Sequence, residues 1–197
     1  ATLTPEQFAD GCGEVVKHAV IADPELFAEL EKTPLTLELL NRDVARVALI
    51  IARNIDIKRA VVVADERETN QRKLLNFGHS AGHAVEACEH FELGHGNCVS
   101  IGMGIITRAA ALHGVCDDEL PDRIEELCAR HGLKTRCELS ADTVFAEALH
   151  DKKRTGDTID LVIPHGIGRC SIDRTPLSTF HDLIAEGLGQ KGDASAC

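Results

Sequence analysis

The stretch NFGHSAGHAVEACEHFELGHG, residues 76–96, carries His79, His83 and His95, three of only 10 histidines in the chain. Imidazoles this close can gather a zinc ion, and a catalytic zinc takes three protein ligands and keeps a fourth position open. If the flanking residues form one helix, each turns about 100° from the last, so Arg72, Asn76, His79 and His83 fall within roughly 60° of one another. Glu86 extends the line, and Leu74, Ala81, Ala84, Val85 and Cys88 supply an opposite packing face. The bland reading is a wet helix face. Such faces usually hold Lys and Glu, however, and this one holds Arg, Asn and two His. His95 lies in LGHGN, a glycine-flanked turn that can fold an imidazole back onto the preceding helix. A further ligand candidate is Glu14 in GCGEVVKH, where Glu14, Lys17 and His18 share a helical face and Gly11 and Gly13 permit close approach of another element. In isolation Glu14 and Lys17 read sooner as a surface ion pair of little worth than as a ligand and its neighbour.

The elements that must position these residues are mostly helical. Thr4 caps a helix with Pro5 in its first turn, and Asp23 with Pro24 starts a second. Residues 36–64 carry a long apolar period through Leu39, Leu40, Val44, Val47, Ile51 and Ile55. Residues 73–89 and 97–113 predict two more helices. DDELPDRIEELCARHG predicts another, closing at Gly132, and SADTVFAEALHDKK one opening at Ser140. Only DTIDLVIP and RCSI show a period of two, which predicts a hairpin around HGIG, followed by a helix over 176–188 and a loose tail over 189–197. The expected architecture is an all-α, multi-helix bundle with a small β-hairpin and no Gly-rich nucleotide loop.

At 197 residues and 44% hydrophobic the chain can bury a real core in one domain, residues 1–188. The formal net charge of -11, with no Trp, no Tyr and six Phe, argues against nucleic acid and anionic lipid as partners. The absence of long apolar runs argues against a membrane span and for a cytoplasmic protein. Eight cysteines without a C-x-x-C pair read as reduced core thiols.

The blocks GCGEVVKHAVI, VVADERETNQRKLLNFGHSAGHAVE, LGHGNCVSIGM and DKKRTGDTIDLVIPHGIG follow one another in the order seen in 3-dehydroquinate synthase, whose C-terminal domain the chain resembles from about Thr4 to Leu188. The resemblance implies the helical fold shared with glycerol dehydrogenase and iron-dependent alcohol dehydrogenases. It implies Glu14, His79 and His95 as ligands of Zn2+ or Co2+, with His83 used otherwise. It further implies Lys17, Glu68 and His83 as catalytic groups, and Lys58, Arg72, Asn76, His83 and Lys152 as binding groups for an anionic sugar phosphate, with Lys153 the alternative to Lys152. The activity implied is conversion of 3-deoxy-D-arabino-heptulosonate 7-phosphate to 3-dehydroquinate and phosphate in the shikimate pathway, using NAD held mainly by an N-terminal domain that has no counterpart here. A homodimer is the expected assembly, and the chain alone is expected to be inactive.

Three positions depart from the family's pattern. Asn97 stands where a glutamate is usual, which would remove a negative charge near the proposed metal. Asn70 replaces a glycine, and GCGE replaces GMAE. The competing readings are another sugar-phosphate cyclase, or a non-catalytic helical metal-binding or dimerisation module.

Overall fold

The computed structural model describes residues 2–67, 71–150 and 154–190. Among them, capping side chains decide where helices begin. Thr4 Oγ1 accepts a bond from Gln7 N while Thr4 N donates to Gln7 Oε1, a closed capping box that opens α1 (Pro5–Ala22). Asp23 ends α1 and at once caps α2 (Pro24–Lys32) by accepting from Leu26 N.

The predicted continuous helix over 36–64 divides in two. Asp43 ends α3 (Leu37–Arg42) with a non-helical backbone and caps α4 (Val44–Ala64) by accepting from Arg46 N. The local competition of an Asp side chain for backbone N–H groups outweighs the unbroken apolar period.

A second division matters more for the site. Where one helix was expected over 73–89, a 3-10 helix (Gln71–Asn76) ends at Gly78, whose φ of +74° suits glycine, and α5 (His79–Cys88) starts afresh. Arg72 and Asn76 are therefore not on the helix of His79 and His83. Of the expected packing face, Ala81, Ala84 and Val85 are buried, while Leu74 and Cys88 are half-buried.

The centre of the molecule is α6 (His95–Leu112), in which every residue from Cys98 to Thr107 is buried. A helix apolar all round must be enclosed by other elements. Around it pack α1, α5, α7 (Leu120–Arg130), the strand β2 (Thr158–Gly166) and α9 (Leu177–Gly187), with α8 (Ala141–Ala148) lying on α5 and α9. Buried hydroxyls within α6 are satisfied: Thr107 donates to Met103 O at 2.7 Å and Ser100 to Asn97 O at 2.8 Å. Phe27, Phe77 and Phe180 are fully buried in the surrounding core.

The predicted hairpin is present as β2 (Thr158–Gly166) and β3 (Arg169–Pro176), antiparallel with Ile159 opposite Thr175 and Leu161 opposite Asp173. A short strand β1 (Arg154–Thr155), not anticipated from periodicity, adds an edge, giving the order β1-β2-β3. Several bonds tie the sheet to the helices. Gly168 N donates to Val20 O at 2.7 Å, and Lys73 Nζ to Asp160 Oδ2 at 2.6 Å.

All seven cysteines among the described residues are free thiols. Burial raises the thiols of Cys12, Cys98, Cys128 and Cys170 to about 12, which suits core filling. No helix among the described residues is long and apolar enough to cross a membrane. The expectations for Glu68, Asn70, Lys152, Lys153 and residues 191–197 of the tail fall outside the described residues.

Candidate metal and anion site

The distant α1 meets the consecutive helices α5 and α6 at one point. A side chain at Gly13 would strike the backbone of Gly96 at 2.6 Å, so α1 and the start of α6 cross at backbone contact. That crossing sets Glu14, the next residue on α1, beside His95, the first residue of α6. Gly11, the other glycine expected to permit a close approach, faces open space. His95 is thus a helical residue rather than part of a turn before the helix. The start of α5 brings in His79.

Glu14 Oε1 lies 3.5 Å from His79 Nε2 and 3.7 Å from His95 Nε2. Metal–ligand bonds of about 2.0–2.1 Å in tetrahedral array separate neighbouring donors by roughly 3.3 Å, so these spacings are close to what one ion would require. The carboxylate oxygen is buried without a hydrogen-bond partner among the described residues, a state a cation would relieve. Ligand nitrogens of His79, His83 and His95 also lie within 4.8 Å of one another, so a three-histidine set borders the same point.

The rings are already oriented. His79 Nδ1 is 3.1 Å from Phe77 O, so it donates there and leaves Nε2 as a ligand atom. His95 Nδ1 lies 3.3 Å from Glu86 Oε2, which does the same through a carboxylate. Glu86 was visible in the sequence only as an extension of the polar stripe, and nothing in the spacing tells that it faces His95.

Lys17 is no surface partner of Glu14. Its side chain is 3% exposed and its Nζ donates to Glu14 Oε2 at 2.6 Å. Burial acts to raise the Glu14 carboxyl, but His95 and Lys17 together hold it well below the usual carboxylate range. The nearby Glu14 carboxylate, reinforced by Glu86, raises His95 against the opposing effect of its partial burial. A metal entering here would displace that proton, so its affinity falls as pH falls.

These groups line a cavity of about 440 Å3 together with His18, Lys58, Arg72, Leu75, Asn76. Lys58 comes from α4, and Arg72 and Asn76 from the 3-10 helix. Arg72 is held by bonds from its N to Asp65 Oδ2 at 3.1 Å and from its guanidinium to Glu66 O at 2.9 Å. His83 instead lines a neighbouring cavity of about 260 Å3 with Ser80, Glu147 and His150. The structure therefore gathers Glu14, Lys17, Lys58, Arg72, Asn76, His79 and His95 around one space and sets His83 at its flank.

Asn97 does not face the metal position. Its N and Nδ2 donate to Asp10 Oδ1 at 3.0 and 3.3 Å, and its Oδ1 accepts from Lys134 N at 3.0 Å. The expected loss of charge beside the metal is thus replaced by a bridge between α1 and the loop after α7.

Solved structures of two synthases share this architecture. A 2-epi-5-epi-valiolone synthase from Streptomyces hygroscopicus subsp. jinggangensis, solved with NAD+ and Zn2+ bound, superposes with a TM-score of 0.82 at 23% identity, over 95% of this chain and 52% of that one. A 2-deoxy-scyllo-inosose synthase, solved with carbaglucose-6-phosphate, NAD+ and Co2+, gives 0.74 at 21% identity, over 93% of this chain and 52% of that one. In sequence, the 3-dehydroquinate synthase of Acetivibrio thermocellus is 38% identical across 98% of the chain, and that of Streptococcus suis 36% across 93%. The family model of the 3-dehydroquinate synthase C-terminal region matches residues 11–154, and the chain belongs to that family. It spans about half the length of these curated relatives, 52% and 51%.

Proposed function

We propose that this chain is the metal- and substrate-binding half of a 3-dehydroquinate synthase, acting on 3-deoxy-D-arabino-heptulosonate 7-phosphate together with an NAD-binding half. The observation that carries the reading is Glu14 Oε1 facing His79 Nε2 and His95 Nε2 at 3.5 and 3.7 Å inside a cavity bordered by Lys17, Lys58 and Arg72. Cations gathered in a chain of net charge -11 are better explained by an anionic ligand than by solubility.

Glu14, His79 and His95 would hold a divalent ion, which as a Lewis acid lowers the pKa of a bound hydroxyl. Lys58 and Arg72 would take the substrate carboxylate, Arg72 by a two-pronged contact. Asn76 and His83, with Lys152, would take the phosphate. Lys17 and Glu68 would hold neighbouring ring hydroxyls. The departing phosphate can accept the proton of the elimination step, so no strong protein base is required. NAD would be held mainly by the other half, and the isolated chain would fold but not turn over. Residues 1–188 would form this one domain and 189–197 a tail, with a homodimer as the assembly and the cytoplasm as its place.

A cyclase acting on a substrate without a carboxylate would leave the Lys58 and Arg72 pair unused. The test is zinc content and ligand binding of the purified chain. About one zinc per chain is expected, lost in His79→Ala and kept in His83→Ala. Calorimetry should then show the heptulosonate phosphate binding more tightly than sedoheptulose 7-phosphate, which lacks the carboxylate. Equal loss of zinc from both variants would move the site to the three-histidine set, and equal affinity for both sugars would overturn the substrate assignment.

A further inference from the structure

One buried polar pair beside the cavity has no part in the roles above. His18 on α1 has 7% of its side chain exposed, and its Nδ1 lies 3.0 Å from Asn54 Oδ1. Asn54 is buried on α4 and donates through Nδ2 to Ile50 O at 2.9 Å. An amide nitrogen donates and does not accept, so that second bond turns Oδ1 toward the imidazole, and His18 Nδ1 must carry the proton. The neutral ring then offers Nε2 as a bare acceptor.

That nitrogen is buried and lacks a hydrogen-bond partner among the described residues, an arrangement that calls for an explanation. His18 lines the same cavity as Glu14, Lys17, Lys58 and Arg72. Glu14 Oε2 stands 4.0 Å from Nε2, too far for a direct bond. The charged groups acting on His18 are Lys17, Glu14 and Lys58.

We propose that His18 Nε2 accepts a hydrogen bond from a hydroxyl of the sugar ligand, and that Asn54 is the positioning residue that holds His18 in the required tautomer. The inference rests on the proposed function for the class of ligand, a polyhydroxylated sugar acid phosphate, and adds a specificity contact to it. A ligand lacking that hydroxyl would leave the acceptor buried and unpaired, which is how a polar site rejects a deoxy analogue.

The test uses the zinc-loaded chain with 15N-labelled histidine, titrated with 3-deoxy-D-arabino-heptulosonate 7-phosphate. Before ligand, NMR should show His18 with Nδ1 protonated and Nε2 bare. At saturation the Nε2 resonance should move in the direction of an accepted hydrogen bond while Nδ1 stays protonated. His18→Phe should bind the sugar about tenfold more weakly, with zinc content and inorganic phosphate affinity unchanged, and His18→Gln, which restores an acceptor, should recover part of the loss. The opposite tautomer in the free chain, or an Nε2 resonance unmoved at saturation, overturns the proposal without any variant having to fold. If Lys58→Ala loses the sugar while His18→Phe binds as wild type does, the His18 contact is refuted and the proposed function stands. If the zinc-loaded wild type binds no sugar, the proposed function fails and takes this contact with it.

Discussion

Replacing Glu86 by Gln tests whether the proposed metal site depends on the orientation of its imidazoles. His95 is the more weakly walled ligand, with 41% of its side chain exposed against 12% for His79. His79 is aimed by a backbone carbonyl that no side-chain substitution removes, whereas His95 is aimed by the Glu86 carboxylate at 3.3 Å. Gln is nearly isosteric and still offers an oxygen to Nδ1–H, but without the charge that makes the bond strong and the ring more basic. Loss of such an outer partner costs about 10- to 100-fold in metal affinity. The 3.3 Å contact is long for a charge-assisted bond, which points to the low end, about tenfold or ~1.4 kcal/mol. Competition with a chromophoric chelator at neutral pH measures it, with His95→Ala as the variant that removes the ligand. An unchanged zinc affinity in Glu86→Gln, alongside strong loss in His95→Ala, would refute the argument that ring orientation limits binding. Loss as complete as in His95→Ala would mean that Glu86 is itself a ligand.

Other outcomes follow from single contacts. Gly102→Ala would drive a methyl group into the carbonyl of Gly78, which accepts the first bond of α5 from Gly82 N, so a cost of about 3 kcal/mol and a midpoint lowered by roughly 6–12 °C are expected in thermal melts. Arg53 grips Asp23 with two bonds of 2.5 and 2.6 Å. Although burial works to raise it, Arg53 and Leu26 N hold the Asp23 carboxyl below its ordinary range. The stability it contributes is present above the unfolded carboxylate value of about 3.9 and is lost as pH falls through the lowered folded value. Asp23→Asn keeps a capping oxygen and removes the charge, so urea melts should show a loss of about 1 kcal/mol near pH 7 that shrinks toward pH 2, and parallel profiles would refute the pairing. Asn97→Asp sets a carboxylate against Asp10, with a stability loss of about 1–2 kcal/mol and zinc affinity within about twofold of wild type. A large change in zinc affinity would show that position 97 reaches the metal after all.

Much of the fold was legible in the residues themselves, because the signals are local. Thr4 with Pro5, Asp23 with Pro24, Ser140 and Gly132 mark helix ends through bonds within a few residues, and the change to a two-residue period marks β2 and β3. The resemblance of the ordered blocks likewise placed the chain in its family. Apolar period misled where one polar or flexible residue intervened, at Asp43 and at Gly78, since periodicity measures a face and not the continuity of the helix bearing it.

The chemistry of Glu14, His79 and His95 could be named from residue type, and their order matched a family, but three-dimensional contact alone decided that they meet. Spacing along the chain says nothing about the backbone contact of Gly13 with Gly96, the pairing of Glu86 with His95, the turn of Asn97 toward Asp10, or the bond from His18 to Asn54. Each joins different elements or depends on the angle at which they cross. Helix caps are written into neighbouring residues because they are formed by neighbours, whereas a site shared by α1, α4, the 3-10 helix, α5 and α6 exists only once close packing has fixed how far apart those elements lie.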